Sequence, residues 1–195
     1  RVGIFYTLVG VWSGFVGLSF SIMIRINFIE PYFNVISSDC YNFLITYHGI
    51  IMIFFFLMPV LVGGFGNYLI PLLCGLSDLN LPRLNALSAW LLIPSVLFLL
   101  ISIFLGAGIG WTLYPPLSSS LFASSKGVDF LMFSLHLAGV SSLLGSINFI
   151  CTVYGSFNNS TVSRGSIILW AYVFTSVLLL ISLPVLAAAI TMLLF

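Results

Sequence analysis

Two groups of residues in this sequence are equipped for chemistry in surroundings that offer them little help. His48 stands in "TYHGIIMIFFF" (46–56), inside an almost unbroken apolar run. A ring that titrates near neutral pH needs a partner there. One reading is a core histidine bonded to a backbone carbonyl. The other is a metal or haem ligand, because neutral imidazole is the usual ligand of haem iron and ionisable groups at membrane depth usually mark function. Arg25 closes the apolar run before His48's own, so an antiparallel pair brings both residues to a similar depth. It either snorkels to an interface or shares one site with His48 and an oxygen-bearing cofactor.

The second group gathers around a carboxylate. Asp78 follows His48 by 30 residues, about 45 Å along a continuous helix, and so belongs to the opposite face. Asn67 precedes it by three helical turns, Asn85 and Ser88 open the next apolar run, and Tyr6 opens the first. Ser141 and Ser142, with Ser146 and Asn148 beyond them, fall near mid-depth of a later run. Such residues either bond neighbouring helices, at about 0.6 kcal/mol each on average, or form a hydrated proton path with Asp78 at its mouth. His136, in "FSLHLAGVSS", has no titratable companion and reads as structural; Trp111 and Tyr114, in "GWTLYPPL", suit an aromatic belt. Cys40, Cys74 and Cys151 are scattered without metal-type spacing and read as small apolar fillers. No phosphate loop, Ser/His/Asp set or zinc spacing occurs.

The elements that must position these residues follow from composition. The chain is 61% hydrophobic and 5% charged, against roughly 25% charged in an ordinary globular domain. A single soluble core cannot hide that much apolar surface, so lipid is the solvent. Nine charges, at positions 1, 25, 30, 39, 78, 83, 126, 129 and 164, leave five long uncharged stretches. Each exceeds the about 20 residues that a helix needs to cross a bilayer, and "SVLLLISLPVLAAAITMLLF" lacks the alternation of a barrel strand. The expectation is an all-α polytopic membrane protein, one helical domain over 1–195, with spans near 2–26, 41–73, 86–107, 130–154 and 165–195. Turn-rich segments separate them. Three basic residues against two favour the N-terminus inside. Net charge near zero offers nothing to nucleic acid. Pro59 is expected to kink the second span, and "GGFG" (63–66) admits close approach of another helix or of a flat cofactor. A chain that opens on Arg1 within a helical pattern and stops at Phe195 without a polar cap reads as clipped at both ends.

Four long motifs then give a resemblance: "MIFFFLMPVLVGGFGNYLIPLL", "GWTLYPPL", "FSLHLAGVSSLLGSINF" and "LLLISLPVLAAAITMLLF". Together they resemble subunit 1 of the haem–copper terminal oxidases, the cytochrome c oxidase family, and the likeness runs across essentially the whole chain. It implies roughly the first five of the family's twelve helices. His48 matches one of two axial histidines of the low-spin haem a, and Arg25 the arginine that bonds the haem formyl group. Tyr41 and Trp111 match aromatic residues at the haem edge. Asp78 matches the mouth of the D-type proton pathway, Asn67 and Asn85 its asparagine gate, and Tyr6, Ser88, Ser141 and Ser142 its continuing polar lining. Tyr68 stands where the family commonly has Trp, and Ile109 where it has Thr; local repacking is the expected result.

The resemblance also implies an intact enzyme that reduces O2 to water with electrons from cytochrome c and pumps protons. It works beside a copper-bearing subunit 2 and a subunit 3, in the mitochondrial inner membrane or, alternatively, a bacterial plasma membrane. The second haem a ligand, the high-spin haem and copper B belong to sequence beyond Phe195, so no residue of the oxygen chemistry falls within these 195 residues and the chain alone is not expected to be active. Two haem-free alternatives stand beside this reading. A proton-coupled transporter predicts inverted repeats and a midplane substrate site. A non-catalytic membrane subunit has no need of His48.

Overall fold

The structure is a computed structural model that describes residues 1–29, 36–119, 121–122, 125–156 and 166–195. Glu30 and Arg164, two of the charges used to judge orientation, lie outside these residues, as do parts of the first and last connecting loops and Gly165. Among the described residues there are five long helices: α1 (Val2–Ile26), α2 (Ser38–Cys74), α3 (Pro82–Leu105), α4 (Gly127–Ser156) and α5 (Ile167–Leu194). All five are long and apolar enough to cross a membrane, and no strand occurs among the described residues.

Local chemistry sets several helix ends. α2 begins at Ser38, ahead of its first apolar residues, because the Ser37 hydroxyl accepts from the Cys40 amide at 3.4 Å and Asp39 sits in the positively polarised first turn. It ends at Gly75, whose φ of 68° is the left-handed conformation that closes a helix at low steric cost. Pro82 opens α3 at a position where a missing amide hydrogen costs nothing. Ser166 caps α5 by accepting from the Ile168 amide.

The middle of α2, Ile51–Phe65, is wound as a π-helix with Pro59 inside it. Proline was expected to kink this span. The helix carries it on the wider turn of a π segment, which, like proline, is a recognised site of helix bending. α1 lies antiparallel against this segment and presents a seam of glycines to it. A Cβ on Gly10 would stand 2.5 Å from Val60 Cγ2, one on Gly14 2.6 Å from Phe56 Cδ2, and one on Gly17 2.7 Å from Met52 Sδ. The "GGFG" glycines serve helix packing too: Gly63 faces the Tyr6 ring, Gly64 faces Thr7, and Gly66 faces Phe149 and Tyr172.

α3 and α4 pack extensively on one another, and their contact is a ladder of polar rungs. The Leu81 amide donates to Asn148 Oδ1 at 3.1 Å, and the Ser141 hydroxyl to the Ser88 carbonyl at 2.6 Å. Ser95 and Ser134 each donate to the other's carbonyl, at 2.7 and 2.8 Å, and the Ser102 hydroxyl donates to the Gly127 carbonyl at 2.6 Å. Each step of seven residues along α3 meets a step of seven back along α4, the repeat of two helices that wind around one another with a left-handed twist. The apolar core between α2, α3 and α4 is built from Tyr47, Ile50, Ile51, Phe55, Leu92, Leu99, Leu131 and Met132. A smaller cluster (Ile70, Cys74, Leu79, Phe149, Val153, Leu169 and Val173) joins α5 to the end of α2.

Candidate functional site

His48 lies near the start of α2, ahead of the π segment. Its Nδ1 is 2.9 Å from the Gly17 carbonyl oxygen of α1. A carbonyl only accepts, so Nδ1 carries the ring proton and Nε2 holds a lone pair with no bonding partner among the described residues. This is how a histidine ligand is commonly oriented: one nitrogen is tied to a carbonyl and the other is free to coordinate. His136 instead commits both nitrogens, with Nδ1 2.8 Å from the Met132 carbonyl and Nε2 3.0 Å from Thr191 Oγ1. The two histidines of the chain are thus chemically distinct. No group of three or more His, Cys, Asp or Glu side chains able to hold a bare metal ion occurs among the described residues.

The other residues expected near His48 are at the same end of the bundle, though not all beside it. Trp111 packs on Gly49, where an added Cβ would stand 3.1 Å from its Cβ and Cγ. Tyr41 is half-buried and meets the Phe28 ring edge-on at 5.5 Å. Arg25 is exposed and makes no side-chain bond among the described residues. Its Cα lies about 12 Å of helix beyond that of Gly17, the residue opposite His48, at the same end of the bundle.

At the other end, Asp78 is exposed in the short turn between α2 and α3, where its Oδ1 accepts from the Leu79 amide at 2.8 Å. α4 holds this turn in place. The Asn80 amide donates to Thr152 Oγ1, the Asn80 side chain to the Cys151 carbonyl, and the Leu81 amide to Asn148 Oδ1. Beyond the turn, three asparagines each carry a buried polar atom without a partner: Asn67 Oδ1, Asn85 Oδ1 and Asn148 Nδ2. Buried polar atoms are seldom left so, and a water is the usual partner of such an atom. Asn148 deserves equal rank with the asparagines singled out from sequence, which it lacked only because α4's rotation could not be read from spacing.

Farther in, Tyr6 joins α1 to α3 and α4. Its hydroxyl donates to Ser88 Oγ at 2.9 Å and stands 3.2 Å from Ser141 Oγ. Tyr6, Asn67, Ser88, Ser141 and Ser142 line one cavity of about 30 Å³, room for about two waters. The structure therefore brings five of the seven proposed pathway residues to one cavity, with Asn85 buried one turn before Ser88 and Asp78 at the surface. Ser146 turns back to bond the Ser142 carbonyl.

Five apolar helices with buried polar residues at one end and a histidine bonded through one nitrogen at the other define a multi-pass helical membrane protein. Comparison with known sequences gives the family. The model of the cytochrome c and quinol oxidase polypeptide I family matches residues 1–195, and the chain belongs to that family. It is 45% identical over 196 residues to cytochrome c oxidase subunit 1 of Pecten maximus, covering 98% of this chain and 41% of that protein. It is 46% identical over 200 residues to the Yarrowia lipolytica subunit, covering 98% and 37%. It is 43% identical over 198 residues to the subunit of Eremothecium gossypii, covering 99% and 37%. The chain spans about two-fifths of the length of these relatives.

Proposed function

We propose that the chain supplies part of the catalytic subunit of a cytochrome c oxidase, a respiratory enzyme of the mitochondrial inner membrane that reduces O2 to water and moves protons. In this reading His48 is an axial ligand of the low-spin haem a, Arg25 bonds a substituent of its ring, and Tyr41 and Trp111 cover its edge. Bound haem supplies one-electron chemistry at its iron; the high-spin haem and copper B belong to the remainder of the subunit. Asp78 gathers protons at the surface. Asn67, Asn85 and Asn148 pass them inward, and Tyr6, Ser88, Ser141 and Ser142 hold the waters along which they move. The copper-bearing subunit 2 and subunit 3 are the expected neighbours, and cytochrome c is the donor to the complex.

The observation that carries the reading is the His48–Gly17 hydrogen bond, which leaves the Nε2 lone pair without a partner among the described residues. The test is His48→Met in the full subunit within its assembled complex. The low-spin haem band is expected to be lost or shifted. A normal band with normal turnover removes the ligand assignment.

A further inference from the structure

Three consecutive residues of α2 each bond a different neighbour. Thr46 Oγ1 accepts from the Gly110 amide in the loop that carries Trp111, at 2.9 Å. Tyr47 donates to α3, with its hydroxyl 2.8 Å from the Ser102 carbonyl oxygen and 2.6 Å from Ser102 Oγ. His48 bonds the Gly17 carbonyl of α1. Successive residues of a helix point about 100° apart, so the three ties leave α2 in three directions and fix its rotation about its own axis.

Tyr47 is the most deeply placed of the three. It is fully buried, its ring lies 4.7 Å from that of Phe43, and the Ser102 hydroxyl that it meets is itself committed to the Gly127 carbonyl at the start of α4. One phenol therefore links α2 to both helices of the serine ladder. It has no part in the proton path, and its hydroxyl is otherwise an unexplained polar group in an apolar core. Three residues past His48 the winding changes to π, so the turn that carries His48 takes its setting from the ties on its own side of that change. A rotation of about 10° at a side-chain radius of about 5–6 Å displaces a ring by about 1 Å, and an error of that size is enough to spoil a functional geometry.

We infer that Tyr47 is a positioning residue: its hydroxyl, bonded to Ser102, holds the rotation of α2, and with it the setting of the His48 imidazole against its iron. The inference rests on the reading of His48 as a haem ligand. It is tested with Tyr47→Phe and Ser102→Ala in the assembled complex, with His48→Met as reference, by recording the low-spin haem band and its midpoint potential. The Phe variant keeps the ring contact with Phe43 and removes only the hydroxyl. It is expected to retain haem and to shift the low-spin reduction equilibrium by about two- to tenfold, the upper end being about 59 mV for one electron. Ser102→Ala, which leaves the carbonyl acceptor in place, is expected to give a smaller shift of the same sign. The carbon monoxide difference spectrum of the high-spin haem should stay unchanged in both. A Tyr47→Phe enzyme with unaltered band and potential overturns the inference. Should that variant fail to assemble, an unaltered potential in Ser102→Ala overturns it instead. If His48→Met loses the band while the Tyr47 variant is unaltered, only the positioning role falls. If His48→Met also leaves the band intact, the ligand reading falls with it.

Discussion

The His48 ring reaches the Gly17 carbonyl at 2.9 Å across a helix seam that has no side chain at position 17. The glycine therefore does two things at once. It lets α1 approach α2 closely, and it leaves its own carbonyl open to the ring. A Cβ there would stand 2.7 Å from Met52 Sδ and 3.2 Å from Ile51 Cγ2. Gly17→Val is expected to push the helices apart, to cost about 1–3 kcal/mol of stability by overpacking, and to alter the low-spin haem band. Thermal loss of that band in the assembled complex measures both effects; a band and stability equal to those of the parent would show that the seam yields without disturbing His48.

For Asp78→Asn, the expected outcome is slower turnover and weaker pumping, with haem a still reduced by the donor. Asp78 is exposed in the turn at the end of the bundle opposite His48, so electron entry should be spared. Proton uptake measured after reduction tests this, and uptake at the parent rate excludes the carboxylate from the path.

Tyr6→Phe removes a hydroxyl that bonds both Ser88 and Ser141 at the cavity. The lost interhelical bonds are expected to cost about 1 kcal/mol. Proton delivery should slow further than that cost explains, because the waters lose an ordered partner. Oxygen consumption compared with thermal stability separates the two effects.

His136 offers the opposite expectation. Both of its ring nitrogens are committed to protein, to the Met132 carbonyl and to Thr191. His136→Gln should lower stability by about 1 kcal/mol and leave both haem spectra as they were. A changed low-spin band would mean that the two histidines had been assigned the wrong way round.

Much of this arrangement was legible in the sequence, and the reasons are specific. Nine charges against long apolar runs gave five helices, since few other patterns suit a bilayer. The polar residues of α1, α3 and α4 that line the cavity could be chosen because amides and hydroxyls are conspicuous among apolar neighbours. Rotation was harder. Asn148 and Ser146 look alike in a linear reading, yet one keeps a buried amide nitrogen without a partner and the other bonds the Ser142 carbonyl of its own helix. The π winding of Ile51–Phe65 left no mark beyond Pro59, because winding depends on how α1 and α4 pack on the segment as much as on its residues. Tyr47 escaped notice for a simpler reason: a tyrosine beside a histidine in an apolar run resembles core until its hydroxyl is seen to cross to another helix.

The serine ladder invites a prediction of its own. Ser95→Ala and Ser134→Ala each remove one donor from a reciprocal pair whose acceptors are backbone carbonyls. Each should cost about 0.6 kcal/mol. The rungs are parallel bonds rather than a relay, so the double variant is expected to lose close to the sum. A loss well above the sum would mean that the hydroxyls cooperate.

That same ladder sets where the chain can change length. Its rungs recur every seven residues on both helices, so one residue inserted within α3 or α4 would turn everything past it by about 100° and unhook each later rung. The loop from Gly106 to Lys126 lies beyond the last rung, at Ser102 and Gly127. Insertions and deletions accumulated by descent are therefore expected to collect in that loop, while the helices it joins keep a fixed residue count between their first serine and their last.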